Sequence, residues 1–202
     1  SYRRAAVFGT KQKDNSDTRE RSPVAVGDRA LVEKNSPDAG IVQGLAKRHN
    51  QLLRPAPGRE GETVLHVLAS NVDRLCVVAS CREPQFSPGL IDRFLVAAEF
   101  SNLPAMLIVT KTDILSGPRE WDLYRNLGYE VHEVSVRTGL GVAELQAALA
   151  GQSSVLCGHS GVGKTSLLNK LLGHTKGKIG EVSEATGKGR HTTSVATWIF
   201  VE

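Results

Sequence analysis

Gly158-His159-Ser160-Gly161-Val162-Gly163-Lys164-Thr165-Ser166 decides how this 202-residue chain is read. The stretch fits G-x-x-x-x-G-K-[ST], the pattern of a phosphate-cradling loop. Ser153 to Cys157 before it reads as a short buried strand, and Leu167 to Leu172 after it as a helix. Glycines between the two let the backbone curl so that several N–H groups converge. The helix N-terminus adds its partial positive charge to that anion site. In such a setting Lys164 reaches the β- and γ-phosphates and the Thr165 hydroxyl ligates Mg²⁺. The alternative is a glycine-rich turn with an incidental lysine. Strand, loop and helix in register favour the phosphate site.

Two further segments precede this loop. Thr110-Lys111-Thr112-Asp113 and Ser135-Val136-Arg137-Thr138-Gly139 both look like base-reading segments. In an ordinary GTPase the phosphate loop comes first and such segments follow, so the order of parts is inverted here. Asp113 can accept two hydrogen bonds, from the N1–H and 2-amino groups of guanine, a pair that adenine lacks. The Lys111 stem can lie along the ring face, and the Val136 N–H can donate to guanine O6. Thr110 stands where the usual pattern has Asn. Its hydroxyl reaches less far than an amide, which weakens base binding without abolishing it.

Apolar runs place these segments on a scaffold. Leu75 to Ala79, Ala105 to Val109, Glu130 to Val134 and Ser153 to Cys157 read as strands. Pro88 to Phe100, Arg119 to Leu127, Val142 to Leu149 and Leu167 to Leu172 read as helices. On Pro88 to Phe100, Leu90, Ile91, Phe94, Leu95 and Ala98 share a side. Buried strands alternating with helices predict an α/β fold, a mostly parallel sheet covered on both faces. Ligands of such sheets bind at the carboxyl ends of the strands, so all three segments can converge on one rim.

Residues 1–60 have a different rhythm. Arg3 to Phe8, Val24 to Val32 (broken by a Gly-Asp turn) and Gly40 to Leu45 read as short strands of a small β-barrel. Lys11 to Ser22 reads as a polar loop, and Pro55-Ala56-Pro57-Gly58 as a linker. Two domains follow, 1–60 and 61–202. The first holds 12 Lys and Arg against 7 Asp and Glu, net +5; the second holds 13 against 14, net −1. A basic first domain points to a polyanion partner, RNA being the obvious one.

Hydrophobic residues make up 40% of the chain, yet no apolar run approaches the ~20 residues of a membrane span. No membrane partner is expected. The start lacks both an initiator Met and an apolar signal region, so a fragment is expected. The expected location is a bacterial cytoplasm. An organelle protein stripped of its transit peptide is the alternative. Cys76, Cys81 and Cys157 lie in or beside apolar strands without metal spacing, and read as buried reduced thiols.

After the phosphate-loop helix, Gly173 to Thr193 is long, glycine-rich and basic, the place of a switch loop ordered by γ-phosphate and Mg²⁺. His191 there is the candidate for positioning or deprotonating the attacking water. Thr192 or Thr193 would supply the second hydroxyl on Mg²⁺. Ser194 to Val201 begins another strand.

These residues together resemble the circularly permuted ribosome-assembly GTPases of the RsgA (YjeQ) type. The resemblance rests on Val26-Gly27-Asp28, Leu53-Arg54-Pro55, Ala69-Ser70-Asn71-Val72-Asp73, Gly89-Leu90-Ile91-Asp92-Arg93, the phosphate loop and Gly189-Arg190-His191-Thr192-Thr193. It implies an N-terminal OB-fold, a permuted GTPase domain, and GTP hydrolysis stimulated by the small ribosomal subunit during its late maturation. It also implies 16S-type rRNA as a partner, a monomer, and a catalytic role for the switch-loop histidine, here His191. Three departures stand out: Thr110 for Asn, no Asp-x-x-Gly segment within the chain, and no C-terminal zinc-binding domain. A truncated chain that binds nucleotide poorly and turns over little GTP is therefore expected, with zinc only in that further domain. Two other functions compete. One is an RNA-binding OB module with a nucleotide switch and negligible catalysis. The other is a small-molecule P-loop kinase, against which the guanine-reading pair Asp113 and Val136 argues.

Overall fold

Leu75 to Ser80 is apolar almost without a break, and a strand buried on both faces requires that. In the computed structural model, which describes residues 24–37, 39–57, 63–173 and 197–199, it lies at the centre of a five-stranded sheet. The strands before it are β1 (Ala30–Ser36), β2 (Ala39–Leu45), β3 (Gln51–Pro57) and β4 (Thr63–Ser70). The sheet itself holds β5 (Arg74–Ser80), β6 (Ala105–Thr110), β7 (Glu130–Glu133), β8 (Ser154–Cys157) and β9 (Thr197–Ile199), in the order β7-β6-β5-β8-β9. β5, β6, β7 and β8 run parallel, and β9 pairs antiparallel with β8.

The helices α1 (Pro88–Phe100), α2 (Asp122–Asn126), α3 (Val142–Leu149) and α4 (Lys164–Leu171) alternate with these strands. Cys76, Val78, Met106, Ile108 and Leu156 share one face and cluster with Leu145 and Leu149 of α3 and Leu167, Leu168 and Leu171 of α4. The residues between them, Leu75, Val77, Leu107 and Val109, are equally buried and face the other way, as a period of two demands. α1 packs along β5 and buries Ile91, Leu95 and Ala98, a spacing of four and three that defines one helical stripe. Cys76, Cys81 and Cys157 are buried free thiols.

α2 is shorter than the 119–127 span expected from sequence. Only 122–126 is helical. Tyr124 N–H and Gly128 N–H donate to carbonyls three residues back, and Gly128 turns out of the helix with φ 90°. Tight turns at both ends thus replace helical ones.

The residues up to Asn71 and those from Val72 form two separate compact units. The division falls at 71/72 rather than after residue 60 because β4 belongs with β3. The expected linker Pro55-Ala56-Pro57 is in fact part of β3, in register with β4 from Gln51↔Ser70 to Pro57↔Thr63. A spacing of two puts both proline nitrogens on the same side of the strand. Among the described residues β3 pairs with β4 alone, and such a ribbon tolerates them on the side away from its ladder. The first unit contains a second antiparallel ribbon, β1 with β2. Asp28 knits the first unit together. Its carboxylate accepts from the Ala25 N–H at 2.7 Å, Arg48 Nε at 2.8 Å and Nη2 at 2.9 Å, and Ser70 Oγ at 2.6 Å. Burial raises the Asp28 pKa, but the Arg48 hydrogen bonds, with those from Ala25 and Ser70, outweigh it and hold the pKa at about 2. The expected strand Arg3 to Phe8, the loop Lys11 to Ser22 and the switch segment 174–196 lie outside the described residues.

Candidate nucleotide-binding site

The phosphate loop sits at the carboxyl end of β8 and hands the chain to α4. Gly158 has φ 147°, and a Cβ there would meet the Val78 carbonyl oxygen at 2.1 Å, so only glycine lets the loop press against β5. Gly163, φ 94°, is the residue before the first turn of α4. The backbone N–H groups of Ser160 to Ser166 have no acceptor among the described residues. A curled run of unpaired donors ending on a helix N-terminus is an anion cradle. Lys164 is the first residue of α4, and its Nζ donates to the carbonyls of Gly158 at 2.8 Å and His159 at 2.7 Å. The ammonium therefore spans the loop. Burial lowers its pKa from the ordinary lysine value. Thr165, one residue on, is exposed, and its hydroxyl makes no hydrogen bond among the described residues. That free oxygen beside an anion cradle suits a hard cation such as Mg²⁺.

The carboxyl end of β6 supplies the second part. Thr110 is 2% exposed, and its hydroxyl lies 3.1 Å from the Ala79 carbonyl and 2.5 Å from that of Val162 in the phosphate loop. The side chain is therefore committed to holding the loop against β5 and β6. Lys111 follows with φ 59° and starts a short 3-10 turn over Thr112–Ile114. Its Nζ donates to the Gly161 carbonyl at 3.0 Å and also to that of Glu83. The Cys81 thiol donates to the Lys111 carbonyl at 3.0 Å and steadies this backbone. The Thr112 hydroxyl is buried without a partner among the described residues.

The third part follows β7. Ser135 Oγ donates to Asp113 Oδ1 at 2.6 Å and accepts from the Thr138 N–H at 3.2 Å. The loop closes with Gly139 N–H on the Ser135 carbonyl at 2.8 Å. The Val136 N–H has no acceptor among the described residues. Arg137 Nε donates to Asp113 Oδ2 at 2.7 Å. The hydrogen bond from Ser135, then that from Arg137, holds the Asp113 pKa below the usual carboxylate range. Three of the expected residues are thus brought together directly, Ser135 and Arg137 on Asp113. Thr110, Lys111 and Lys164 all anchor on carbonyls of the phosphate loop. His191, Thr192 and Thr193 fall outside the described residues.

Sequence reasoning missed three things. Thr110 meets the phosphate loop 52 positions away, Lys111 turns onto Gly161, and Arg137 closes on Asp113. No spacing rule signals any of them. It also missed a cleft of about 510 Å³ flanking the loop, lined among others by Val78, Ser80, Phe86, Ile91, Gly158 and Val162. Its far wall is fixed by Phe86 against Trp121, ring centroids 5.8 Å apart, and against Tyr124 at 6.3 Å. The Tyr124 hydroxyl in turn lies 2.8 Å from Asp92 Oδ1.

Known proteins resemble this chain. A family model described as the RsgA GTPase matches residues 45–202. The small ribosomal subunit biogenesis GTPase RsgA of Azotobacter vinelandii is 41% identical over 180 residues, covering 86% of this chain and 51% of the relative. Its namesake from Histophilus somni is 35% identical over 181 residues, with 85% and 50% covered. The chain spans about half the length of the curated relatives it matches. Among solved structures, YjeQ from Thermotoga maritima superposes with a TM-score of 0.53 at 31% identity, covering 73% of this chain and 51% of that one. YloQ, described as a circularly permuted GTPase, does so with a TM-score of 0.51 at 29% identity, covering 75% and 50%.

Proposed function

The chain belongs to the RsgA GTPase family, and on that premise we propose that it binds guanine nucleotides and hydrolyses GTP during late maturation of the small ribosomal subunit. The observation that carries the reading is Asp113. Its carboxylate, fixed by Ser135 on β7's loop, shares a rim with the phosphate loop that Thr110 and Lys111 grip from the same strand end. A base read by Asp113 and the Val136 N–H would leave its phosphates over Ser160 to Ser166.

Within this proposal each residue has a task. The loop N–H groups and Lys164 hold the phosphates, and in doing so offset the charge that builds on them as the terminal phosphoryl leaves. Lys164 would exchange its two carbonyl partners for phosphate oxygens, a stronger, charge-assisted pairing. Mg²⁺ would be held by Thr165, with Thr192 or Thr193 as the second hydroxyl, and would supply charge neutralisation when bound. His191 would orient the water that attacks the γ-phosphorus, giving GDP and inorganic phosphate. The small subunit would act as stimulator, and the basic N-terminal residues would meet its rRNA in the cytoplasm. Turnover by the chain alone would be low.

The test is GTP turnover by the chain with and without small subunits, beside an ATP control. Stimulation by subunits supports the reading. GTP turnover or binding indifferent to subunits leaves a nucleotide switch on an RNA-binding module, and preference for ATP refutes the guanine site altogether.

A further inference from the structure

Arg137 sits in a segment read for its backbone, yet its side chain has the most pointed position in the site. Nε and Nη2 both converge on Oδ2 of Asp113, at 2.7 Å and 2.6 Å. Ser135 occupies the other oxygen. The Asp113 side chain is 10% exposed and that of Arg137 is 73% exposed, so the guanidinium reaches in from solvent across the open side of a nearly enclosed carboxylate.

Guanine needs both oxygens of that carboxylate, one for its N1–H and one for its 2-amino group. Each oxygen accepts about two hydrogen bonds. On Oδ1 the Ser135 hydroxyl takes one place and leaves one. On Oδ2 the two guanidinium N–H groups take both. The base and Arg137 therefore cannot sit on Asp113 together. We propose that Arg137 is a latch on the base pocket: it pairs with Asp113 when the site is empty, gives way to guanine, and speeds nucleotide release by reclaiming the carboxylate. This rests on Asp113 being the guanine reader.

The physical reason for such a latch is charge pairing. Without Arg137 the empty carboxylate keeps one neutral partner and meets water on its open side, and the guanidinium replaces that water with a charge-assisted pair. This stabilises the empty state and weakens nucleotide binding by the same amount. Because the guanidinium is exposed, the effect is modest and screened by salt. Among the described residues the two lysines of the site are engaged elsewhere: Lys111 Nζ is spent on the Gly161 and Glu83 carbonyls, and Lys164 on those of Gly158 and His159.

The experiment compares GDP binding and release for the unaltered chain, Arg137→Ala, Arg137→Gln and Asp113→Asn. Both Arg137 variants are expected to hold GDP about fivefold more tightly at low salt, mainly through slower release. The gap should close near ~1 M salt, where the screening length falls to about 3 Å. In an Asp113→Asn background, Arg137→Ala should change nothing further. Asp113→Asn alone should shift preference from GDP to xanthosine diphosphate, whose extra carbonyl suits an amide donor. If it shifts while the Arg137 variants bind GDP no more tightly than the unaltered chain, the latch is overturned and the guanine reading stands. If Asp113→Asn keeps its preference for GDP, both fall.

Discussion

The hydroxyl oxygen of Thr110 lies 2.5 Å from the carbonyl oxygen of Val162, and through that contact the carboxyl end of β6 holds the glycine-rich loop between β8 and α4. The same hydroxyl faces the Ala79 carbonyl on β5, and Gly163 passes within contact of it, since a Cβ there would stand 3.9 Å away. Thr110 thus occupies a three-way junction. Thr110→Val keeps the shape and removes the donor. The buried Val162 carbonyl then loses its partner, costing about 1–3 kcal/mol of stability. Thr110→Ser should recover most of it. Thermal unfolding checks the cost. A GDP titration checks the consequence, an affinity loss shared by Thr110→Val but not Thr110→Ser.

Asp28 makes the first unit sensitive to acid. Its folded pKa of about 2 lies below its ordinary value of 3.8. A depressed carboxylate contributes stability that is fully present above pH 3.8 and is lost as pH falls towards 2. The contribution is no more than about 2 kcal/mol, since Arg48 keeps some access to water. Asp28→Asn should remove that part of the pH dependence. Asp28→Ala should cost more, about 3 kcal/mol, because Arg48 loses its carboxylate partner, keeping Gln51 Oε1 at 3.1 Å, and the Ala25 N–H loses its acceptor. Unfolding of the first unit, followed from pH 5 to about pH 2, separates these outcomes. An identical acid profile for Asp28→Asn and the unaltered chain would remove Asp28 from the account.

The parts of the fold that sequence reveals are those where one local pattern suffices. Leu75 to Ala79 and Ala105 to Val109 are apolar because both their faces are buried, and α1 and α3 match their expected limits because their stripes are regular. Pro55-Ala56-Pro57 misleads because proline usually punctuates, whereas a partner strand in register makes these residues a strand edge. In the site, the glycines and Lys164 are legible from spacing alone. The tie from Thr110 to Val162 and the closure of Arg137 on Asp113 are tertiary contacts over 52 and 24 positions, and no local periodicity encodes them.

Gly158 tests whether the loop's path is set by backbone contact. Alanine there would bring Cβ to 2.1 Å from the Val78 carbonyl, a backbone atom that cannot yield as a side chain can, at φ 147°. Gly158→Ala should therefore cost at least about 3 kcal/mol and dislocate the phosphate loop. Gly151→Ala is the control: its φ of 71° is also unfavourable, but nothing lies within 4 Å of the added carbon. Only the backbone penalty of about 1 kcal/mol applies there. Unfolding midpoints and GDP titration should show both losses at Gly158 and a small stability loss alone at Gly151.

Lys164 separates phosphate binding from folding. Its Nζ rests on two carbonyls of its own loop, Gly158 and His159, and half-burial has already lowered its pKa. Lys164→Met keeps the apolar stem and removes the charge. His159 is exposed, so its carbonyl turns to water, but buried Gly158 loses the donor to its carbonyl, and the empty protein should lose about 1 kcal/mol of stability. Binding should suffer more, because a charge-assisted bond to phosphate is worth about 1.5–3 kcal/mol, or about tenfold to a hundredfold in affinity. The salt dependence of GDP binding should weaken in parallel, since one cation fewer meets the phosphates. Guanosine, which has no phosphate, should bind the variant and the unaltered chain alike. A Lys164→Met protein that holds GDP as tightly as before would mean the ammonium stays on its carbonyls and the loop N–H groups alone carry the phosphates.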